Sequence, residues 1–250
     1  MMDQPIEQLI KSKQRVQKHG EVFTPAWMVK KMIETEGIKE ACENLTATFL
    51  EPAAGEGNFL IAILMKKLEM VEREYGKTIQ QFEQFSLLAL STLYGIELLE
   101  DNAQMCVMNM FEVFSDYYTQ VATNFDQPKN SDVIKSAKVI IKANIAQGNF
   151  LTRKIETGEP IIFSEWEAIN ELLASTEQIT INRTEYTLDE IYNGVDRESG
   201  VMYKKETGNK QLNLFDLFNE QLEVEQEPYY RYKPVNITQI HKEEVEEYEL

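Results

Sequence analysis

The sequence predicts an α/β fold built on a parallel β-sheet, because short apolar strands alternate with helical segments along roughly its first 150 residues. Three strands are predicted, over residues 46–54 (TATFLEPAA), 92–98 (TLYGIEL) and 138–146 (KVIIKANIA). Between residues 58 and 75, apolar residues recur at intervals of three and four, which predicts a helix. A long helix is predicted over residues 101–125. This alternation is typical of a parallel sheet with helices packed on it.

Further helices are predicted at the N-terminus and between the first two strands. The first is polar and ends at Lys18, because Gly20 interrupts it soon afterwards. The second begins near Pro25, a residue that suits the start of a helix. Another spans residues 79–92. After the third strand the alternation fades, and EPIIFSEW (residues 159–166) is a candidate fourth strand.

The composition of the 250-residue chain excludes several protein classes. A hydrophobic content of 43% is sufficient for a core, whereas a net charge of −17 argues against a general nucleic-acid coat protein, since DNA affinity depends on Lys and Arg. No stretch approaches the roughly 20 apolar residues of a membrane span, and the N-terminus lacks the pattern of an export signal. Cys42 and Cys106 have no metal-ligand spacing. We therefore expect a cytoplasmic protein with reduced thiols, no metal site and no contact with a membrane.

Charge divides the chain unevenly. Residues 171–250 contain 18 acidic and 8 basic side chains, a net charge of −10. We expect one domain over residues 1–170 and an acidic, partly disordered extension over residues 171–250. Within residues 1–31 the sign reverses, with six basic and three acidic side chains, which predicts either a small basic face or a solvated first helix.

The first predicted strand leads into a turn of small residues, AAGEG, and then into a helix. Gly55 and Gly57 would let the backbone approach a ligand closely because neither has a Cβ, and the following helix offers free backbone N–H groups. The third glycine of a dinucleotide-binding fingerprint is missing, since position 60 is Leu. Taken alone, the turn predicts either a ligand-binding loop or a simple connection between strand and helix.

Complementary side chains follow the other two strands. Glu97 ends the second strand and could accept hydrogen bonds from both hydroxyls of a ribose, while Leu98 could pack on an adenine face. Asn149 and Phe150 follow the third strand and offer an amide and an aromatic ring. Ligands of doubly wound sheets bind beyond the carboxyl ends of the strands. The ordered series therefore predicts a nucleoside pocket.

Four blocks in this order, HGEVFTP, FLEPAAGEGNFL, LYGIEL and QGNFL, resemble the cofactor motifs of the adenine-N6 DNA methyltransferases of restriction-modification systems. The resemblance covers about residues 14–152. It implies a Rossmann-like, class I methyltransferase sheet, with later strands that are hard to find in this chain, and S-adenosylmethionine as the cofactor. The cofactor-binding residues that the resemblance implies are Phe23, Thr24, Pro25, Glu51, Ala53, Gly55, Gly57, Glu97, Leu98, Asn149 and Phe150.

The sequence departs from this family in two places. The family has Asp where Asn149 stands, although an amide oxygen can still accept from the adenine amino group. The family's Asn/Asp/Ser-Pro-Pro-aromatic loop binds the target amine and stacks on the flipped base, but none of the seven prolines here adjoins another. Ser164, Glu165 and Trp166 are candidate catalytic substitutes, since they supply an acceptor, an acid and an aromatic ring. The alternative is that Phe163 and Trp166 are core residues and Glu165 is solvated.

Two functions fit these observations. The first is an S-adenosylmethionine-dependent DNA adenine-N6 methyltransferase of a restriction-modification or mobile-element system, which needs a partner subunit for DNA recognition. The second is a homologue that binds S-adenosylmethionine without methylating and acts as a regulatory, assembly or decoy subunit. The cofactor motifs fit both functions, whereas the missing Pro-Pro favours the second.

A short peptide in the acidic extension resembles the motif by which bacterial polymerases and repair proteins bind the DNA sliding clamp. It lies in KQLNLFDLF, residues 210–218, and consists of Gln211, Leu212, Asn213, Leu214 and Phe215. Clamp docking would raise the local concentration of DNA for an acidic protein. The alternative is an amphipathic helix that packs Leu214 and its neighbours at i+3 and i+4 on the core.

Overall fold

Helices surround a short parallel sheet in the computed structural model, which describes residues 10–173, 176–204 and 229–248. The α-helices are α1 (Lys13–His19), α2 (Ala26–Ile33), α3 (Ile38–Cys42), α4 (Asn58–Tyr75), α5 (Ile79–Ser91), α6 (Glu100–Asn124), α7 (Ser131–Asn144) and α8 (Leu188–Asn193). The strands are β1 (Phe49–Glu51), β2 (Leu93–Glu97), β3 (Ile145–Gln147), β4 (Ile162–Ala168), β5 (Thr180–Thr187), β6 (Tyr229–Tyr232), β7 (Val235–Asn236) and β8 (Val245–Tyr248). A 3₁₀ helix covers Ile237–Lys242.

The parallel sheet has the strand order β1-β2-β3. Phe49 of β1 is level with Leu93 of β2, and Gly95 of β2 is level with Ile145 of β3. All three carboxyl ends therefore lie at one edge of the sheet. The mixture of parallel strands and helices confirms the predicted α/β class.

Helix α4 follows β1 and supplies a large part of the core. Leu60, Ile63, Leu64 and Leu68 are all 0% exposed, which matches the predicted spacing of three and four. Fully burying one such side chain stabilises the fold by about 1.5–3 kcal/mol. The packed face of α4 therefore holds the beginning of the helix, and the turn before it, in a fixed position.

Lys67 of α4 is a buried cation with backbone partners. Its Nζ donates to the carbonyl oxygens of Asn44 at 2.9 Å and Ala47 at 2.8 Å, in the segment that leads into β1. Burial lowers the pKa of Lys67 to about 8. The side chain thereby connects the segment before β1 to α4.

The third predicted strand is largely wrong. Residues 138–144 belong to α7, and β3 begins only at Ile145. Asn130 caps α7, because its side chain accepts the N–H of Asp132, and Val133, Ala137 and Ile141 lie on the buried face of the helix. A run rich in Val and Ile resembles a buried strand in sequence, and here its helical periodicity decides the structure.

The candidate fourth strand forms, but outside the parallel sheet. β4 pairs antiparallel with β5 from Ile162 opposite Thr187 to Ala168 opposite Ile181, and β5 also pairs with β7. The boundary expected after residue 170 therefore falls between two paired strands.

Described parts of the acidic extension are packed on the rest of the chain. Ile179 and Ile181 around β5, and Ile237 and Ile240 of the 3₁₀ helix, are buried in the same core cluster as α4. Among the described ranges, no helix is long and apolar enough to cross a membrane. The peptide of residues 210–218 lies outside the described residues.

Candidate functional site

A cavity of about 440 Å³ lies at the carboxyl ends of the parallel strands, a size within the range of small-molecule sites. Seven of the predicted cofactor residues line it: Phe23, Ala53, Gly55, Glu97, Leu98, Asn149 and Phe150. Four others, Thr24, Pro25, Glu51 and Gly57, are not among its lining residues. The structure thus brings together residues from four separate sequence blocks at one cavity.

The glycine turn has a backbone that other residues rarely adopt. Gly55 has a φ of +56° and Gly57 a φ of +92°, in the region that favours glycine. A Cβ at Gly57 would lie 2.8 Å from Sγ of Cys106, which is buried in α6. The Gly57 N–H donates to the Ala54 carbonyl at 2.9 Å and closes the turn. Both glycines are therefore required by the shape of this turn.

Glu97 joins the end of β2 to the glycine turn. Its side chain is buried, and Oε2 accepts the backbone N–H of Gly55 at 2.8 Å. Oε1 accepts the backbone N–H of Leu99 at 3.0 Å and faces Nδ2 of Asn102 at 3.5 Å. A carboxylate has about four lone-pair sites, so Glu97 can accept further hydrogen bonds from a ligand in the cavity.

The loop after β3 provides apolar surface at the other side of the cavity. Leu98 and Phe150 are exposed to 46% and 40%. Oδ1 of Asn149 accepts the backbone N–H groups of Leu151 at 2.9 Å and Thr152 at 3.3 Å. The oxygen that we expected to meet an adenine amino group is therefore engaged within its own loop.

The segment between α1 and α2 closes the cavity, and sequence reasoning missed what holds it. Arg15 of α1 contacts Glu21 through two nitrogens and Asp101 of α6 at 3.0 Å. Asn102 donates to Glu21 at 2.8 Å, and Lys11 pairs with Asp101 at 3.2 Å. These contacts lower the pKa of Asp101 to about 2, chiefly through its hydrogen bond with Arg15, and the pKa of Glu21 is lowered for the same reason.

The remaining predicted cofactor residues lie around the turn. Thr24 accepts a hydrogen bond from Nδ2 of Asn58 at 3.4 Å, which connects the segment before α2 to the start of α4. Pro25 precedes the first residue of α2 and acts as its N-cap. Glu51 ends β1, and burial raises the pKa of its carboxyl group. Thr24 and Glu51 are thus next in sequence to the lining residues Phe23 and Pro52, without lining the cavity themselves.

The structure does not place Ser164, Glu165 and Trp166 at this cavity. Ser164 and Trp166 are buried, and β4 is paired with β5 along its length. The Trp166 indole N–H donates to Asn144 at 2.9 Å, and the guanidinium of Arg183 lies 5.0 Å from the ring centroid. Glu165 is exposed and, with Ser164, lines a second cavity. This placement matches the core interpretation of Trp166 and offers it no open face for a flipped base.

The geometry is that of an α/β protein with a ligand site at the carboxyl ends of parallel strands. A family model described as N-6 DNA methylase matches residues 4–153, and the chain belongs to this family. The matched range includes every residue that lines the 440 Å³ cavity. No curated protein and no solved structure matches the chain.

Proposed function

We propose that this chain is the cofactor-binding part of an S-adenosylmethionine-dependent DNA adenine-N6 methyltransferase and works with a partner subunit. The observation that carries the proposal is the buried Glu97, which lines the cavity and accepts the Gly55 N–H. On this proposal the fold is a Rossmann-like methyltransferase sheet of which this chain forms the first half. DNA is the substrate that the family implies.

The residues of the cavity fit this cofactor. A carboxylate with free lone pairs suits the ribose hydroxyls, and the apolar surfaces of Leu98 and Phe150 suit the two faces of adenine. Gly55 has no side chain to occupy the floor of the cavity, and its positive φ disfavours any residue that would add one. When bound, the cofactor supplies the methyl group, while these side chains orient it at the carboxyl ends of the strands.

The second half of the chemistry is what the partner must supply. A methyl acceptor at adenine N6 needs groups that accept the hydrogens of its amine, and a surface that holds the base out of the duplex. The chain has no Pro-Pro dipeptide, and its net charge of −17 does not suit DNA binding. A basic partner that brings both the base-binding loop and the DNA contacts fits these facts, as in a cytoplasmic restriction-modification system.

The alternative function is a cofactor-binding subunit that does not methylate. The two functions share the cavity and differ in methyl transfer. An assay of label transfer from S-adenosylmethionine to mixed-sequence DNA therefore distinguishes them. We expect the pure chain to bind the cofactor by calorimetry and to incorporate label only when lysate of the source organism is added. Binding without incorporation in either condition favours the non-catalytic subunit, and absence of binding at millimolar cofactor contradicts both.

Clamp docking through Gln211, Leu212, Leu214 and Phe215 is a separate proposal. A synthetic peptide of residues 207–219 is expected to bind purified sliding clamp at micromolar strength. The same peptide with Leu214→Ala and Phe215→Ala is the control and is expected to lose binding. A peptide that ignores the clamp rejects this proposal and leaves the cofactor proposal unaffected.

A further inference from the structure

We propose that the open edge of β1 is a docking site for an extended, apolar segment of a second polypeptide that also carries a Lys or Arg side chain. The inference deepens the proposed function and rests on it, because it assigns the place where the partner subunit binds. It concerns the backbone edge of β1 that faces away from β2, together with a cavity beside that edge.

The edge itself is the first observation. β1 pairs with β2 and has no neighbour on its other side among the described residues. Phe49 donates its N–H to Thr92, before β2, so the N–H and C=O of the next residue, Leu50, point to the open side. An unpaired strand edge is a template for a further strand.

Exposure of Leu50 is the second observation. Parallel strands are normally covered on both faces, yet the Leu50 side chain is 44% exposed. In doubly wound sheets the order 3-2-1 continues with a further strand beside the first. The order β3-β2-β1 stops where such a strand would begin.

A cavity of about 530 Å³ beside this edge is the third observation. Its apolar walls are Leu50, Tyr94, Phe163 and Leu188, with Val195 at one side. The Tyr94 and Phe163 rings are in contact, with centroids 5.4 Å apart. The cavity can therefore bury apolar side chains of a strand that pairs with Leu50.

Strand β4 borders this cavity without filling the edge. All seven of its residues pair with β5, and the Ser164 carbonyl accepts the hydroxyl of Tyr94 at 2.9 Å. β4 belongs to the β4-β5-β7 sheet and does not pair with β1. The chain's own candidate fourth strand is thus committed elsewhere.

Charge at the rim of the cavity defines the polar part of the occupant. Glu165 and Asp196 both line the cavity, and within the described ranges neither forms an ion pair with a basic residue. The Glu165 side chain is exposed at the surface, but partial desolvation of its carboxyl group, and then the nearby charges of Glu167 and Asp196, raise its pKa. A Lys or Arg on the incoming segment would relieve this repulsion. The occupant we infer is therefore apolar with a basic residue, in contrast to this acidic chain.

An added strand that runs parallel to β1 would have its carboxyl end beside the carboxyl end of β1. Its following loop would then lie beside Pro52 and Ala53, which line the cofactor cavity. In open α/β sheets, ligands bind outside the carboxyl ends of the strands, at the point where the strand order reverses. The partner would in this way bring its own residues to the reacting methyl group.

The test uses a displayed library of random 12-residue peptides, selected on the full chain. We expect the enriched peptides to have alternating apolar residues and a Lys or Arg. Leu50→Pro, which removes the outward N–H, should raise their Kd at least tenfold, and so should Glu165→Arg. Met108→Lys on the exposed face of α6 is the control and should bind them unchanged. The proposal is overturned if no peptide is enriched, or if the enriched peptides bind Leu50→Pro and Glu165→Arg as tightly as they bind the wild type.

Hydrogen exchange of the Leu50 amide identifies the occupant without a peptide. The proposal requires rapid exchange in the free chain at every protein concentration. Slow exchange that Leu214→Asp with Phe215→Asp accelerates would assign the edge to this chain's own residues, and protection that grows with concentration would assign it to a second copy. Either result overturns docking of a different polypeptide at this edge. Cofactor affinity, measured separately by calorimetry, tests the proposed function by itself, so that its failure can be distinguished from failure of the docking proposal.

Discussion

The carboxylate of Glu97 accepts the backbone N–H of Gly55 at 2.8 Å, although 42 positions separate the two residues. One side chain therefore sets the distance between the end of β2 and the glycine turn, which are two walls of the same cavity.

Glu97→Gln is expected to weaken S-adenosylmethionine binding. An amide places an NH₂ group against the N–H of Gly55 or Leu99, and it removes charge-assisted hydrogen bonds worth about 1.5–3 kcal/mol, or roughly 10- to 150-fold in Kd. Glu100→Gln, an exposed change at the start of α6, is the matched control for calorimetry. Equal affinities of the two variants would separate Glu97 from ligand binding.

Gly57→Ala is expected to destabilise the chain through two effects. A residue with a φ of +92° is strained by about 1–3 kcal/mol without glycine, and the new Cβ would lie 2.8 Å from the Cys106 sulfur. Gly158→Ala shares a φ of +87° but has no atom within 4 Å. In urea denaturation we expect Gly57→Ala to lose more stability than Gly158→Ala, and Cys106→Ala to recover part of the difference. Equal losses would show that only the backbone matters.

Acid is expected to release the segment between α1 and α2. The pKa of Asp101 is lowered to about 2 from 3.8, and the pKa of Glu21 is also lowered. A depressed acid pKa contributes stability that is present above the unfolded value and is lost as pH falls through the folded value. The rate of pepsin cleavage in this segment, divided by the rate for an unstructured reference peptide at the same pH, should therefore increase as pH falls from 4.5 towards 2, and Arg15→Gln should raise this ratio already at pH 4.5. A pH-independent ratio in the wild type would contradict this role of Arg15.

Lys67 is expected to make stability rise between pH 8 and 10.5. Its pKa in the folded chain is lowered to about 8 from 10.5, so the unfolded state binds more protons in that window and stability increases with pH. Lys67→Met lacks this titration. The Tm difference between wild type and Lys67→Met should therefore shift in favour of the wild type as pH rises from 8 to 10.5. A constant difference would mean that Lys67 titrates normally.

Trp166→Ala distinguishes a core residue from a base-stacking residue. The indole is buried and bonded to Asn144, and truncation of a core Trp typically costs about 3–5 kcal/mol. Trp27→Ala is the control, since Trp27 is 64% exposed and such surface changes stay within about 0.5 kcal/mol. A stable Trp166→Ala protein with reduced methyl transfer would restore the catalytic interpretation.

Strands β1 and β2 and helices α4 and α6 could be predicted because each has a clear period and clear ends. Helix α7 could not, since residues 138–146 form a short run rich in β-branched residues, whereas the Asn130 cap and the helical periodicity begin before that run. The cavity was predictable because its residues follow successive strands. The Arg15 contacts were not, because they join positions 86 apart in sequence with no local pattern.

Cys106 is packed under the glycine turn with no exposed surface, and burial raises the pKa of its thiol to about 12. Only a thiolate reacts readily with alkylating reagents. The sulfur is therefore protected both because it is protonated and because the turn at Gly57 is packed against it. Any alkylation must wait until α6 and the turn separate. The rate at which iodoacetamide modifies Cys106 therefore measures how often the floor of the cavity opens, and a ligand that tightens the turn will slow that labelling without touching the sulfur.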